Sequence, residues 1–205
     1  MANENEKISN QIAKYNTNKA GVETIDRLIP AEVKDYAKMH GKFSRIGINI
    51  WEYGADNKMT ASAQASLEPY ECKRLLNAIT SGIFGTFVNN TKVHNYEAKK
   101  DENGLVPVQQ ITIAKQDKDQ NGNEYKLPWL IQISNGRAKP LDNEGIGYDK
   151  KTYKSEARLQ IRMSNKDIYK FMSSTVSFID AWEKFVLEVL YRKKLSLEKE
   201  AEKNG

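Results

Sequence analysis

A strict alternation of side-chain character, met twice at the same place relative to a helix, constrains this chain more than any other feature. Met59, Ala61, Ala63, Ala65 and Leu67 alternate with Thr60, Ser62, Gln64 and Ser66, small apolar against polar. Strand residues two apart share a face, so this segment has one side for a core and one for water, and its small inner residues let a helix pack close. Just upstream, Ile46, Ile48 and Ile50 fall on one face, and Phe43, Arg45, Asn49, Trp51 and Tyr53 on the other. The run Gly54 to Lys58 turns these strands into a hairpin. Glu68 and Pro69 then open a helix with an apolar stripe of Leu75, Leu76 and Ile79, ended or bent at Gly82 and Gly85. The second copy is longer. It runs from about Trp129 to Trp182, with Ala157, Leu159, Ile161 and Met163 on one face and Glu156, Arg158, Gln160 and Arg162 on the other.

The remaining chain fills in around these units. Val106 to Gln116 and Glu124 to Ser134 flank Asn121 and Gly122, a strong hairpin signal, and Phe87 to Tyr96 has room for another strand. Pro30 starts a short helix toward His40, ending at Gly41. Ser164 and Asp167 form a capping box before a long helix. Its residues Ile168, Phe171, Met172, Ile179, Trp182, Phe185, Val186, Val189 and Leu190 recur at helical spacing, as a core stripe or a dimer seam, with Ser173, Ser174 and Thr175 as a potential break. The expected organisation is a flexible arm over residues 1–25 and a mobile charged tail over 193–205. Between them, 26–192 form a single α+β domain of two pseudo-repeats, about 43–85 and 105–192, in which antiparallel sheets of hairpins are each followed by a helix.

Composition narrows the function classes. At 205 residues and 39% hydrophobic content the chain can bury a core without metal or disulfide staples. The single Cys72 excludes an intramolecular disulfide and a cysteine-based metal cluster, and its helical position predicts a buried apolar role in a reducing, cytoplasmic compartment. No segment approaches the roughly 20 apolar residues that span a bilayer, so neither membrane insertion nor standard secretion is expected. Only His40 and His94 are present, with no Gly-rich phosphate loop and no nucleophile elbow, and acids such as Asp117 and Asp119 lie in turns where solvation explains them. The chain therefore reads as a non-enzyme, with no catalytic residue, metal or cofactor.

Thirty-two basic residues against 27 acidic give a net charge of +5 and favour a polyanionic partner. The strand faces turned away from the core carry basic, amide and aromatic side chains, which suits an unpaired nucleic-acid strand. Bases would stack on Trp51, Tyr53 or Phe43, while Arg45, Lys126, Arg158 and Arg162 neutralise phosphates. The loop from Asn135 to Ser155 adds Arg137, Lys139, Lys150, Lys151 and Lys154 with Tyr148 and Tyr153, as a solvated loop or one that clasps the strand.

The run IGINIWEY, the polar turn with Lys58, the strand MTASAQASL and the helix EPYECKRLLNAI resemble the hairpin-to-helix core of the positive-cofactor-four and Whirly-type single-stranded DNA-binding proteins. The resemblance covers about forty residues well, and the looser second copy matches the tandem arrangement of Whirly-type chains. It implies a sheet that presents Arg45, Asn49, Trp51, Tyr53, Lys58 and Gln64 to unpaired DNA, and a helix that supports assembly into a homo-oligomer. Four strands precede each helix in that family. The sequence shows two clear ones before Glu68 and three or four before Ser164.

Three readings follow. The first is a sequence-nonspecific single-stranded DNA-binding protein serving replication, recombination or transfer of a bacterial mobile element or phage, the Asn-, Lys- and Ile-rich composition fitting a low-GC source. The second is a protein-interaction module, an inhibitor or assembly factor of a phage or plasmid, whose aromatics contact protein. The third is an RNA-binding or transcription factor using the same sheet, since nothing in the sequence distinguishes RNA from DNA.

Overall fold

A computed structural model describes residues 9–28, 44–82, 91–94, 100–141 and 147–204. The first antiparallel sheet comprises β1 (Gln11–Asn16), β2 (Ala20–Arg27), β3 (Arg45–Tyr53) and β4 (Met59–Leu67), in that spatial order, followed by α1 (Pro69–Ser81). The second repeats the plan with β5 (Thr91–His94), β6 (Val106–Lys115), β7 (Trp129–Ala138) and β8 (Lys154–Met163), followed by α2 (Asn165–Asn204). Each helix is thus preceded by a four-stranded meander, which resolves the strand count that the sequence left open.

The two strands that the alternation did not mark lie largely in the expected flexible arm. Within residues 11–25 the chain is instead paired, Lys14 opposite Glu23 and Glu23 opposite Asn49, so β1 and β2 complete the first sheet. Mixed polar and apolar residues hid them, because their outer faces hold a network of polar groups. The expected helix from Pro30 to Gly41, and Phe43 with it, lies outside the described residues.

The inner faces of both sheets meet in one core. Val22, Ile46, Ile48, Ile50, Ala65 and Leu67 from the first pack with Ile111, Ile113, Ile131, Ile133, Ile161 and Met163 from the second. Strand β4 touches all four strands of the second sheet, while β8 touches β2, β3 and β4, the pattern made by sheets whose strands cross steeply. The small residues Ala63 and Ala65 on β4 permit that crossing at close range.

Both helices begin as their sequences dictate. Glu71 Oε2 accepts from the Glu68 backbone N–H at 2.9 Å ahead of Pro69, and α1 ends at Gly82 in the left-handed region, φ 73°. Its buried stripe is Cys72, Leu75 and Ala78, with Leu76 and Ile79 on its margin. Cys72 is buried as expected, and burial, with a smaller contribution from Glu71, pushes its thiol pKa up to about 12. For α2, the Asp167 backbone N–H donates to Ser164 Oγ at 3.1 Å.

The Ser173–Thr175 run does not break α2. The Thr175 hydroxyl donates to the Phe171 carbonyl one turn back at 2.9 Å and meets the Thr24 hydroxyl of β2 at 2.9 Å, so a buried polar pair locks α2 to the first sheet. The tail after Arg192 continues the same helix to Asn204. At about 1.5 Å per residue α2 is about 60 Å long. Only its first half, through Ile168, Phe171, Met172, Val176 and Ile179, enters the core.

Candidate nucleic-acid interface

Each sheet turns a polar face away from the core, and a cleft opens on each. On the first sheet the register sets Glu23, Asn49 and Gln64 side by side, and Gly21, Trp51 and Ser62 side by side. Gly21 exists for Trp51: a Cβ there would lie 2.3 Å from the indole ring. The ring therefore lies flat across β2, with Lys14 Nζ 5.2 Å from its centroid and Tyr53 edge-on at 6.5 Å. Trp51 sits on the outward side as the alternation predicts, yet it is only 6% exposed. An open stacking platform at Trp51 is thus corrected to a ring embedded in the sheet surface; Tyr53 is half-buried beside it.

The cations of this face are engaged. Arg27 lies over Gly47 and donates to Gln64 Oε1 at 3.0 Å and to Ser66 Oγ at 3.3 Å. Arg45 pairs with Glu68 at 3.4 Å, and Lys58 pairs with Asp56 at 3.2 Å in the exposed turn. Asn49 Nδ2 donates to Glu23 Oε1 at 3.2 Å, and Gln11 Nε2 donates to Glu23 Oε2. The cleft among Glu23, Asn49, Trp51, Ser62 and Gln64 has a volume of about 320 Å³, and Asn135 of β7 closes one side.

The second outer face is built differently. Rows of Gln110 and Thr112, Gln132 and Ser134, and Arg158 and Gln160 cross β6, β7 and β8 in register. Arg158 donates to the neutral Gln132 Oε1 at 2.9 Å. Arg162 donates to Gln116 Oε1 at 2.6 Å and to the Leu127 carbonyl, with its guanidinium 3.8 Å from the Tyr125 ring centroid. Among the described residues neither arginine is within ion-pair range of a carboxylate. Lys126 is exposed next to Tyr125 on the same arm. A cleft of about 330 Å³ lies among Gln110, Thr112, Gln132, Ser134, Tyr153 and Arg158.

Two basic residues expected in the loop after β7 behave unlike each other, and the first of them lies in β7 itself. Arg137 is neutralised by Asp101 at 3.1 Å and Glu156 at 3.0 Å, whereas Lys139 is exposed. The loop's aromatics are anchors: Tyr148 packs on Val108 and Ala138 and accepts from Gln110, and the Tyr153 hydroxyl meets Ser134 Oγ at 2.7 Å. Its lysines Lys150, Lys151 and Lys154 stay exposed. Of the expected site residues, the structure gathers Arg45, Asn49, Trp51, Tyr53 and Gln64 on one face and Arg158 and Arg162, with Lys126 beside them, on the other. Lys58, Arg137 and Lys139 lie at loops and edges. Sequence reasoning missed Lys14, Gly21, Glu23, Arg27 and Asn135; for Gly21 and Glu23 the alternation with Val22 and Thr24 was the signal.

Among the described residues no group of three or more His, Cys, Asp or Glu side chains is placed to hold a metal ion, and no helix is long and apolar enough to cross a membrane. Turn carboxylates serve the backbone: hydrogen bonds from Asn123 hold Asp119 below the usual carboxylate range, and the Leu105 N–H does the same for Asp101, helped by Arg137.

No family model and no curated protein sequence matches the chain. Solved structures do. The plant transcriptional regulator PBF-2 superposes with a TM-score of 0.50 at 12% identity, over 89% of this chain and 96% of its own. WHY1 from Arabidopsis thaliana gives 0.47 at 12% identity, over 83% and 88%. The fold of this chain is therefore Whirly-like across nearly its whole length, with two antiparallel sheets each followed by a helix.

Proposed function

We propose that this protein binds single-stranded DNA with little dependence on overall sequence, and that it works by binding rather than catalysis. One observation carries the reading: Arg158 and Arg162 stand on an amide-lined outer face, with no carboxylate in ion-pair range among the described residues, and Tyr125 and Lys126 lie beside Arg162. Such a face neutralises phosphates and offers amides and an aromatic ring to bases. The Whirly-like fold supports the same reading.

Assembly belongs to the proposal. Beyond the core, Phe178, Trp182, Phe185 and Val189 follow each other at helical spacing along α2, and Phe185 and Tyr191 are 64% and 63% exposed. Copies of the chain would bury this stripe against one another, multiplying the sites along one strand. We place the protein in the cytoplasm, serving replication, recombination or transfer of a bacterial mobile element or phage.

The test is fluorescence anisotropy of a labelled single strand of about thirty nucleotides, against its duplex and the matching RNA, across a salt series. Tight single-strand binding that weakens with salt supports the proposal. Equal binding of RNA would favour an RNA-binding role, and no binding at low salt would favour a protein-interaction module built on the α2 stripe.

A further inference from the structure

Among the described residues, three buried polar atoms without a hydrogen-bond partner belong to side chains around a single cleft. They are Asn49 Oδ1, Trp51 Nε1 and Asn135 Oδ1, and all three residues line the cleft on the first sheet. Native proteins pair nearly all such atoms, so three orphans at one place call for a missing occupant. The amide of Asn49 is oriented by its neighbour: Nδ2 faces the Glu23 carboxylate at 3.2 Å, which leaves Oδ1 as the free acceptor. Trp51 offers only a donor, from a ring fixed over Gly21.

The chemistry of the occupant follows from this set. Two amide oxygens and the Glu23 carboxylate can accept hydrogen bonds and one indole N–H can donate, once a small side-chain movement uncovers the three atoms, which are closed to solvent in this structure. The carboxylate disfavours a phosphate. At about 320 Å³ the cleft falls in the size range of small-molecule sites. We infer that the cleft receives a single nucleobase carrying an exocyclic amino group, its N–H hydrogens on Asn49 Oδ1, Asn135 Oδ1 or Glu23 and a ring nitrogen or carbonyl on Trp51 Nε1. Thymine and uracil would set carbonyl oxygens against those acceptors. This deepens the single-strand reading and rests on it: the protein binds any strand through its second sheet and prefers amino-bearing bases through its first.

Two measurements on the full chain test it. In the first, the Trp51 indole N–H resonance of isotope-labelled protein, identified by its absence from Trp51→Phe, is followed while deoxycytidine, deoxyadenosine or thymidine is added. The first two should shift it saturably and thymidine should not. An indole that answers to none of them, or to all alike, overturns the inference and leaves a cleft holding ordered water only. In the second, oligo-dC should bind about tenfold tighter than oligo-dT of equal length, as expected of one well-made base contact. Asn135→Leu and Trp51→Phe should each bring that ratio close to one. A ratio of one in the unaltered protein, or an unchanged ratio in both variants, sinks the inference. If the indole responds to deoxycytidine while no strand binds, the cleft assignment stands and the single-strand function falls.

Discussion

The two outer faces descend from the same plan of strands yet differ in where their charge goes. On the first, Arg45 meets Glu68 and Lys58 meets Asp56, so two of its cations are answered by carboxylates, while Arg27 bonds to the neutral Gln64 and Ser66 and Lys14 lies over the Trp51 ring. On the second, Arg158 and Arg162 bond to neutral amides and a carbonyl, which orient a guanidinium without cancelling its field. Net charge of +5 could not distinguish these situations. The proposed division of work follows this contrast, with the second sheet attracting the polyanion and the first reading what arrives.

The same contrast extends to the helices and yields the largest expected effect. Helix α1 stops at Ser81 after 13 residues, whereas α2 runs on past its core contacts with exposed apolar side chains. If copies pair through these side chains as proposed, Phe185→Asp combined with Val189→Asp should convert the proposed assembly to a monomer in sedimentation while the far-ultraviolet spectrum stays folded. An unaltered sedimentation coefficient would remove α2 from the assembly.

Glycines give the next test. A Cβ at Gly136 of β7 would lie 2.1 Å from the Lys154 carbonyl oxygen, in backbone that cannot swing away. Gly136→Ala should cost about 3 kcal/mol, toward the upper end for overpacking. Gly47→Ala on the first sheet meets the Arg27 side chain at 2.8 Å, which can move, and should cost less than about 1 kcal/mol. Denaturant midpoints compare them; equal losses would mean that the backbone yields at Gly136, where the β7–β8 register shifts between Asn135 and Gly136.

Charge reversal probes the faces directly. Arg158→Glu with Arg162→Glu should lower single-strand affinity about 100-fold at low salt and reduce the salt slope by about 1.4, at roughly 0.7 for each phosphate that is no longer neutralised. Arg45→Glu should lower it about threefold or less, because Glu68 already offsets that charge. Matching losses would erase the proposed division of labour.

How far the sequence reached follows from the kind of signal each element carried. Strands β3, β4 and β8 were legible because an apolar core face alternates with a polar one through most of their length. Strands β1 and β2 were not, since β1 carries no fully buried residue and β2 spends its outer positions on Gly21 and Glu23, which serve Trp51 and Asn49. For the same reason Trp51 could be assigned to the outer face but not seen to be buried there. Alternation gives direction, whereas burial on the outer side depends on a glycine thirty residues away. Arg137 was read as a strand contact for want of its partners: Asp101 and Glu156 come to it only through the β6, β7 and β8 pairing.

The smallest expected effect concerns the seam between the repeats. Lys73 of α1 reaches Asp180 at 2.7 Å and Glu183 at 2.6 Å on α2, and hydrogen bonds to these two carboxylates raise its pKa above 10.5. Lys73→Met keeps the aliphatic stem and removes the charge, so it should cost about 0.5 to 1 kcal/mol, as for a part-exposed ion pair. The sign of its pH dependence follows from the raised value. The folded state holds the proton more tightly, so the contribution is fully present below the unfolded lysine's pKa and is lost as pH rises through the folded one. The gap between the two proteins in urea midpoint should therefore be constant from neutrality to about pH 10 and close above it. A gap that does not close there would assign the loss to packing of the stem between α1 and α2 rather than to charge.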